Sequence, residues 1–548
     1  MQRFLFAQNS NQLVSIEEAA ATAKVSSATI RNWIKTGNLS LEQKGHIDSR
    51  ALTELLKTRP GTKKLTSRAN KSQKDFHDHE QLANAIFIKL NRQDIDPTQL
   101  GDDYQKSLSE SFRNKEGIYY TPSHVVNNLF DADNSDLSEL TFLDPCCGSG
   151  NFIVRALELG FRVENIYGFD VDPVAVEITR RRIFQLTGIE SKNFKKIDFL
   201  KDSASEDFKL FDYIYTNPPW GKKLDIPERI RFAKAFNVRG SVDTCSLFMF
   251  ASLRRLKPGG KLGLLLPDAF FNIAVFEAAR DRILSLRVTA FIDYDRPFKG
   301  LLTKAFAVIL RNEAPVITNA SVECRTKNEV FIKQLSTFSA NPKSIINFQS
   351  RPEHDKVIRH ILNRPHVRLS EQDKWGLGIV TGNNIKFVES IESETAVPVF
   401  RGSDILKVGL ANPTCYISSD FSQYQQVAPL DLYQAPVKLI YKFISSTLCF
   451  YCDRKQRFIL NSANMVIPND NFPITPEQLA SLLNSEIINW LFLTLFRTHK
   501  VLRADLESIP IHAEFFTGHS FFNEDQYLNF LQIEKDGYGA YRIKNEDN

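Results

Sequence analysis

Only seven cysteines occur in 548 residues, an odd number at irregular intervals, which argues against a disulfide framework. Neither the adjacent Cys146 and Cys147 nor the pair Cys449 and Cys452 has the further ligands a structural zinc site needs, so no metal is expected. Long apolar runs are also missing. The most hydrophobic stretch, Leu482 to Phe496, is broken by Asn484, Glu486 and Asn489 and is too short and polar to span a bilayer. The first residues, Met1-Gln-Arg-Phe-Leu-Phe-Ala-Gln, lack the sustained apolar core of a secretory signal. A soluble, cytoplasmic protein with no membrane partner is therefore expected. The imbalance between the two signs of charge is small too. The excess of 69 Lys and Arg over 64 Asp and Glu gives a net charge of +5, which permits a nucleic-acid partner without demanding one. With 43% hydrophobic and 24% charged residues, the composition is that of an ordinary globular chain.

Two short runs organise what is present. Asp144-Pro-Cys-Cys-Gly-Ser-Gly150 follows the apolar strand Thr141-Phe-Leu and precedes Asn151-Phe-Ile-Val-Arg-Ala-Leu, a helix start. A glycine-rich turn between strand and helix lets backbone approach a ligand closely, because glycine has no Cβ. The second run, Asn217-Pro-Pro-Trp220, follows the strand-like Phe211-Asp-Tyr-Ile-Tyr-Thr. Asn217 therefore sits at a strand's carboxyl end, where open α/β sheets place their ligands. Pro218 and Pro219 lack N–H donors and leave bare carbonyls. The Asn217 side-chain oxygen and the Pro218 carbonyl make a pair of acceptors suited to an NH2 group, and Trp220 offers a flat face for a ring. Asp170, closing the strand in Tyr167-Gly-Phe-Asp, or Asp172 two residues on, can accept from ribose hydroxyls. Asp198 and Phe199 end a third strand, where the Asp either accepts from an adenine amino group or only forms a turn.

In these motifs the chain resembles the amino-methyltransferases that methylate adenine N6 in DNA with S-adenosylmethionine, over roughly residues 112 to 512. The motif order is similar to that of the gamma group, with target recognition after catalysis. The resemblance implies a Rossmann-like α/β sheet of seven strands, expected at 141–144, 165–170, 194–198, 212–216, 261–266, 289–293 and 305–310, the last antiparallel. It assigns cofactor contacts to Asp144, Pro145, Gly148 and Gly150 of the turn, favours Asp170 for the ribose, and gives Asp198 and Phe199 to the adenine. Thr121 and Tyr119, in Gly117-Ile-Tyr-Tyr-Thr-Pro, inherit contacts to the methionine end, and Thr121 is also expected to cap the following helix. Asn217, Pro218, Pro219 and Trp220 inherit the catalytic role on a flipped base.

The expected organisation is a small helical DNA-binding domain at 1–56, a basic linker at 57–75, a helical connector at 76–111, a catalytic domain at 112–330 and an α/β target-recognition domain at 331–548. Ser15-Ile-Glu-Glu reads as a capping box opening a helix. A second helix near Ser26 to Ile34 and a hairpin wing at Gly45-His-Ile-Asp give this unit the look of a MerR/excisionase helix-turn-helix, with Ser26, Ser27, Thr29, Arg31 and Asn32 facing DNA. Gly221 to Gly240 reads either as a long basic loop near the site that grips the DNA backbone or as a solvated surface helix, and Phe270-Phe271 as a wall of the base pocket. Lys257-Pro-Gly-Gly reads as a tight turn, and Lys438, Lys442, Arg454, Lys455 and Arg457 as basic patches of the recognition domain.

The expected function is site-specific adenine-N6 methylation of double-stranded DNA in a restriction-modification system, with a cognate endonuclease acting separately. N4-cytosine methylation uses the same acceptor logic, and a DNA-binding regulator with a vestigial methyltransferase domain would explain the helix-turn-helix. Cytosine carbon-5 chemistry needs a cysteine nucleophile, but Cys146 lies in the cofactor turn. Glutamine methylation of release factors also uses Asn-Pro-Pro, without so large a C-terminal region.

Overall fold

The computed structural model describes residues 13–23, 30, 39, 41–43, 46–58, 97–107, 119–130, 136–222, 224–238, 243–298, 301–315, 320–370, 372–407, 409–537 and 539–544. The expected DNA-facing residues Ser26, Ser27, Thr29, Arg31 and Asn32, and most of the basic linker, lie outside them. The chain divides into two compact units: residues 1–120, 147–150 and 170–196 form the smaller, and the remainder forms the larger.

The larger unit holds the main sheet, with eight described strands. Their spatial order is Val330–Gln334, Ser321–Arg325, Arg287–Asp293, Ala305–Arg311, Leu256–Pro267, Phe211–Thr216, Phe142–Asp144 and Ile166–Asp170. Phe142–Asp144 pairs in parallel with both Ile166–Asp170 and Phe211–Thr216, and the latter pairs in parallel with Leu256–Pro267. These central strands read as continuous apolar runs because both faces are covered, and Leu262, Leu264, Leu265 and Leu266 are all fully buried. Ala305–Arg311 runs antiparallel to both of its neighbours, as expected.

Two elements exceed the expected seven strands. Ser321–Arg325 joins Arg287–Asp293 in parallel, and Val330–Gln334 folds back antiparallel to it, so these two strands extend the sheet at that edge. Ser321–Arg325 carries a readable alternation, with Val322 and Cys324 turned in, whereas in Val330–Gln334 the apolar Val330 and Ile332 face out and Lys333 is buried, so that strand could not be read from its pattern. The Lys257-Pro-Gly-Gly segment is no separate turn; it lies within the long strand Leu256–Pro267, whose pairing with Phe211–Thr216 shifts register there. Within 221–240 the chain forms a helix, Ile226–Ala235, whose N-terminus the Asp225 carboxylate caps by accepting from Glu228 N–H.

Beyond the sheet lie an antiparallel four-stranded sheet, ordered Lys374–Leu377, Ala463–Ile467, Lys438–Lys442 and Phe450–Asp453, and a three-stranded sheet of Cys415–Ser418, Ala396–Phe400 and Phe458–Ile459. The apolar run at 482–496 is two helices, Pro476–Leu483 and Glu486–Phe496, bent by 61° where Ser485 caps the second. Their apolar faces are buried in the core, and no single described helix is long and apolar enough to cross a membrane. All seven cysteines are free thiols.

In the smaller unit, Leu13–Ser15, His46–Asp48 and Leu41–Gln43 form an antiparallel sheet beside the helices Ile16–Ala23 and Ser49–Thr58. Ser15 and Glu18 bond reciprocally, Ser15 N–H to the Glu18 carboxylate at 2.8 Å and Glu18 N–H to Ser15 Oγ at 3.1 Å, which is the expected capping box. Leu41–Gln43 and His46–Asp48 pair antiparallel where the wing is expected. The unit further holds the helix Pro97–Ser107, the turn at 147–150, the helix Pro173–Thr187 and the strand Phe194–Lys196.

Candidate active site

In the smaller unit the glycine turn and the second strand's end come together. Gly148 and Gly150 adopt φ of +51° and +86°, values that side chains disfavour. A Cβ on Gly148 would meet the Tyr120 ring at 2.9 Å, and one on Gly150 would meet Thr179 at 3.0 Å. Thr179 Oγ1–H also donates to the Gly148 carbonyl at 2.9 Å, and buried Arg182 donates to the Ser149 carbonyl at 3.1 Å. Neither residue carried any sequence signal. Tyr120, next to the expected Tyr119, is set against the turn.

Asp170 accepts from Gly148 N–H on Oδ2 at 2.9 Å and from Asp172 N–H on Oδ1 at 3.0 Å. Burial pushes its carboxyl up to about 6, against the pull of the N–H groups of Asp172, Gly148 and Val171. Asp172 is differently engaged. Its Oδ1 caps the helix Pro173–Thr187 through Val174 N–H at 2.9 Å, and its Oδ2 accepts from the Tyr104 hydroxyl at 2.7 Å. A carboxylate has about four lone-pair sites, so Asp170 retains acceptor capacity. A turn no Cβ could occupy, beside such a carboxylate, fits the ribose and backbone contacts of a nucleoside cofactor.

In the larger unit Asp144 is fully buried, and its Oδ1 accepts from Cys146 N–H at 3.0 Å and from the Thr216 hydroxyl at 2.7 Å. It thereby fastens the first strand's end to the strand leading into Asn217. Asn217 follows Thr216 at that strand's carboxyl end, half-buried, and Pro218 is buried. Trp220 Nε1–H donates to the Leu265 carbonyl at 3.2 Å, and its ring meets Phe298 edge-on at 5.3 Å and 87°. Phe298 had gone unnoticed in the sequence, because a single Phe in an Arg-Pro-Phe-Lys turn carries no periodicity.

Several expectations need correction. Thr121 does not cap the helix Ser123–Leu129; the cap residue is Pro122, without a side-chain bond, and the buried Thr121 gives its carbonyl to Asn151 Nδ2 at 2.7 Å. The third strand stops at Lys196, and Asp198 instead caps the short helix Phe199–Asp202 through Lys201 N–H at 3.3 Å. Phe199 lies in the core, 1% exposed, against Phe208 and Phe248. Phe270 and Phe271 are equally buried and pack on Phe276, Phe291 and Phe306, so they are core and not pocket wall. The basic residues 438–457 are largely spoken for: Lys438 and Arg457 pair with Asp453, and Arg454 pairs with Glu477.

Residues 96–288 match the N-6 DNA methylase family and residues 397–511 the TaqI-like C-terminal specificity domain. The type II methyltransferase M.VspI of Vibrio sp. (strain 343) is 45% identical over 410 residues, which is 74% of this chain and 100% of the relative. The chain belongs to the type II DNA methyltransferases. It is an adenine-N6 enzyme of a restriction-modification system, and S-adenosylmethionine is its methyl donor. Its fold is shared with two proteins solved in complex with DNA. The DrdV–DNA complex superposes with a TM-score of 0.52 at 11% identity, over 92% of this chain and 66% of that one. The type IIL enzyme MmeI in complex with DNA gives a TM-score of 0.51 at 12% identity, over 75% of this chain and 70% of that one.

Proposed function

We propose that this methyltransferase holds the target adenine by its N6 amino group between the Asn217 side-chain oxygen and the Pro218 carbonyl. The observation that carries the proposal is the placement of Asn217-Pro-Pro-Trp at the carboxyl end of Phe211–Thr216, with Trp220 pinned by Leu265 and Phe298. Adenine N6 is a poor nucleophile, because its lone pair is delocalised into the ring. Two acceptors facing its two N–H groups favour a pyramidal nitrogen whose lone pair points outward. Pro219 stiffens the loop, and the Trp220 face replaces the stacking that a base loses on leaving the duplex. When bound, the cofactor supplies an already activated methyl on its sulfonium, so the chain's contribution is position and electrostatics.

Asp170 takes the cofactor ribose, and Asp144, Pro145, Gly148 and Gly150 of the Asp-Pro-Cys-Cys-Gly-Ser-Gly motif supply the further cofactor contacts. Thr121 and Tyr119 serve the methionine end. Asp198 offers its second oxygen to the adenine amino group, with Phe199 supporting it from the core. Asp170→Ala should raise the cofactor dissociation constant by about tenfold or more, the loss of charge-assisted hydrogen bonds, while Asp172→Ala changes it less. Calorimetry decides between them: unchanged affinity in Asp170→Ala together with loss in Asp172→Ala reverses the assignment. Binding in the wild type should weaken as pH falls through about 6, where the Asp170 carboxylate takes up a proton.

Double-stranded DNA is the substrate, and a cognate endonuclease acts on the same sites as a separate chain in the cytoplasm. The N-terminal unit is a MerR/excisionase-type helix-turn-helix reader, separable from target choice. It is supported by the capped helix Ile16–Ala23, the antiparallel pair Leu41–Gln43 and His46–Asp48, and the seven Lys and Arg residues without an acid from Lys57 to Lys74. Choosing one adenine requires rigid placement relative to Asn217, for which the C-terminal domain, following directly on the catalytic one, is the better candidate. Deleting residues 1–75 should leave the set of methylated adenines unchanged at saturating enzyme, and weaken binding to particular DNA. A changed recognition sequence would put the unit in the specificity machinery.

A further inference from the structure

The helix Pro97–Ser107 precedes every motif of the methyl-transfer site, yet one of its residues packs on the glycine turn and another bonds to Asp172 beside the Asp170 carboxylate. Gly101 sits so close to that turn that an added Cβ would lie 2.8 Å from Ser149 Cβ. Tyr104, three residues on and so on the same helix face, is fully buried and donates its hydroxyl to Asp172 Oδ2 at 2.7 Å. Burial, with the Asp172 and Asp170 charges, pushes the Tyr104 phenol far above its ordinary range, so it stays protonated and remains a donor. Asp172 in turn presents its backbone N–H to Asp170 Oδ1 at 3.0 Å, while its other oxygen caps the helix Pro173–Thr187. The chain of bonds therefore runs from Tyr104 through Asp172 to the Asp170 carboxylate.

We infer that Tyr104 is a positioning residue for the cofactor: through Asp172 it fixes Asp170, and with Gly101 it seats the helix Pro97–Ser107 on the glycine turn. Two acids two residues apart repel one another. The Tyr104 hydroxyl stabilises the Asp172 carboxylate and fixes its direction, which leaves Asp170 to turn its remaining lone pairs outward. Gly101 sets how closely the helix approaches, and hence whether the hydroxyl reaches. The inference rests on the assignment of Asp170 to the ribose.

The test uses the full chain, with Tyr104→Phe keeping the ring and removing only the donor. Calorimetry with S-adenosylmethionine should show about tenfold weaker binding, a share of what a hydrogen bond to a charged group contributes. Turnover at saturating cofactor and affinity for DNA should stay at the wild-type level. The pH inflection of cofactor binding should move upward, because a less satisfied Asp172 makes ionised Asp170 harder to hold. Unchanged cofactor affinity and inflection in a folded Tyr104→Phe protein overturns the inference, as does a parallel loss of turnover, DNA binding and thermal stability, which would mark a folding role. Gly101→Ala, which adds a methyl against Ser149 and leaves every hydrogen-bonding group in place, is the second route. It too should weaken cofactor binding selectively, and normal binding counts against the inference. Asp170→Ala separates the levels: normal cofactor affinity there removes the ribose assignment itself, whereas loss there with a silent Tyr104→Phe removes only the role of Tyr104.

Discussion

Asn217→Ala should lower methyl transfer by at least about 10²–10³-fold, the scale seen when one preorganised hydrogen-bonding group facing the reacting atoms is deleted. The acceptor it removes acts on the amine only as the nitrogen pyramidalises, so the loss should fall on the chemical step. Affinity for S-adenosylmethionine should stay near the wild-type value, because no cofactor contact is assigned to Asn217. Single-turnover transfer to DNA carrying the mapped site is the measurement. Trp220→Ala should act differently. Its indole is already fixed by the Leu265 carbonyl and the Phe298 ring, so it is poised to stack, and its removal should weaken the flipped base by about 1–3 kcal/mol. That deficit should appear in productive DNA binding as well as in rate. Normal turnover by Asn217→Ala would sink the assignment, whatever Trp220→Ala showed.

The parts of this site that were legible in the sequence are those encoded locally. A strand of apolar residues, a glycine turn and an Asn-Pro-Pro at the next strand end are written in consecutive positions, and the strands Phe142–Asp144 and Phe211–Thr216 fall where their patterns put them. The capping pair Ser15 and Glu18 was readable for the same reason. What was not readable depends on partners far apart in the chain. Tyr104 is 68 residues from Asp172, so nothing near it announces a bond to a carboxylate. Phe298 gains its meaning only from Trp220, 78 positions earlier, a separation the fold closes to 5.3 Å between ring centroids. The diphenylalanine at 270–271 misled in the opposite direction. Proximity to a strand end suggested a pocket wall, but the 3-10 turn Asp268–Phe271 directs both rings into the core. Asp198 likewise kept its strand-end position in sequence terms, and the strand simply ends two residues early, which makes it a cap.

Charge gave the largest misreading, and it yields a second strong expectation. Lys438, counted in the sequence as part of a basic face, is 0% exposed, and its ammonium bonds to Asp453 Oδ2 at 2.6 Å and to the Tyr433 carbonyl at 2.7 Å. Asp453 is as deeply buried and also takes Arg457, at 2.7 Å, together with the N–H groups of Lys455 and Arg457. Burial alone would raise the Asp453 carboxyl. The bonds from Lys438 and Arg457 outweigh it and hold the group below the usual carboxylate range. The stabilisation from Asp453 is therefore fully present above the unfolded value of about 3.9 and lost as pH falls through the lower folded value. Removing one partner of such a pair strands the other charge, so Lys438→Met should destabilise the region around Lys438–Lys442 and Phe450–Asp453 by about 3–5 kcal/mol, at the lower end because Arg457 remains. Lys455→Ala, on the exposed side of the same segment, should change stability by no more than about 0.5 kcal/mol. Urea unfolding at neutral pH measures both. A phosphate-contacting Lys438 predicts the reverse pattern: little change in stability, and a salt dependence of DNA binding whose logarithmic slope falls by about 0.9 for the lost contact. That outcome would return Lys438 to the DNA-facing surface and overturn its reading as a buried structural cation.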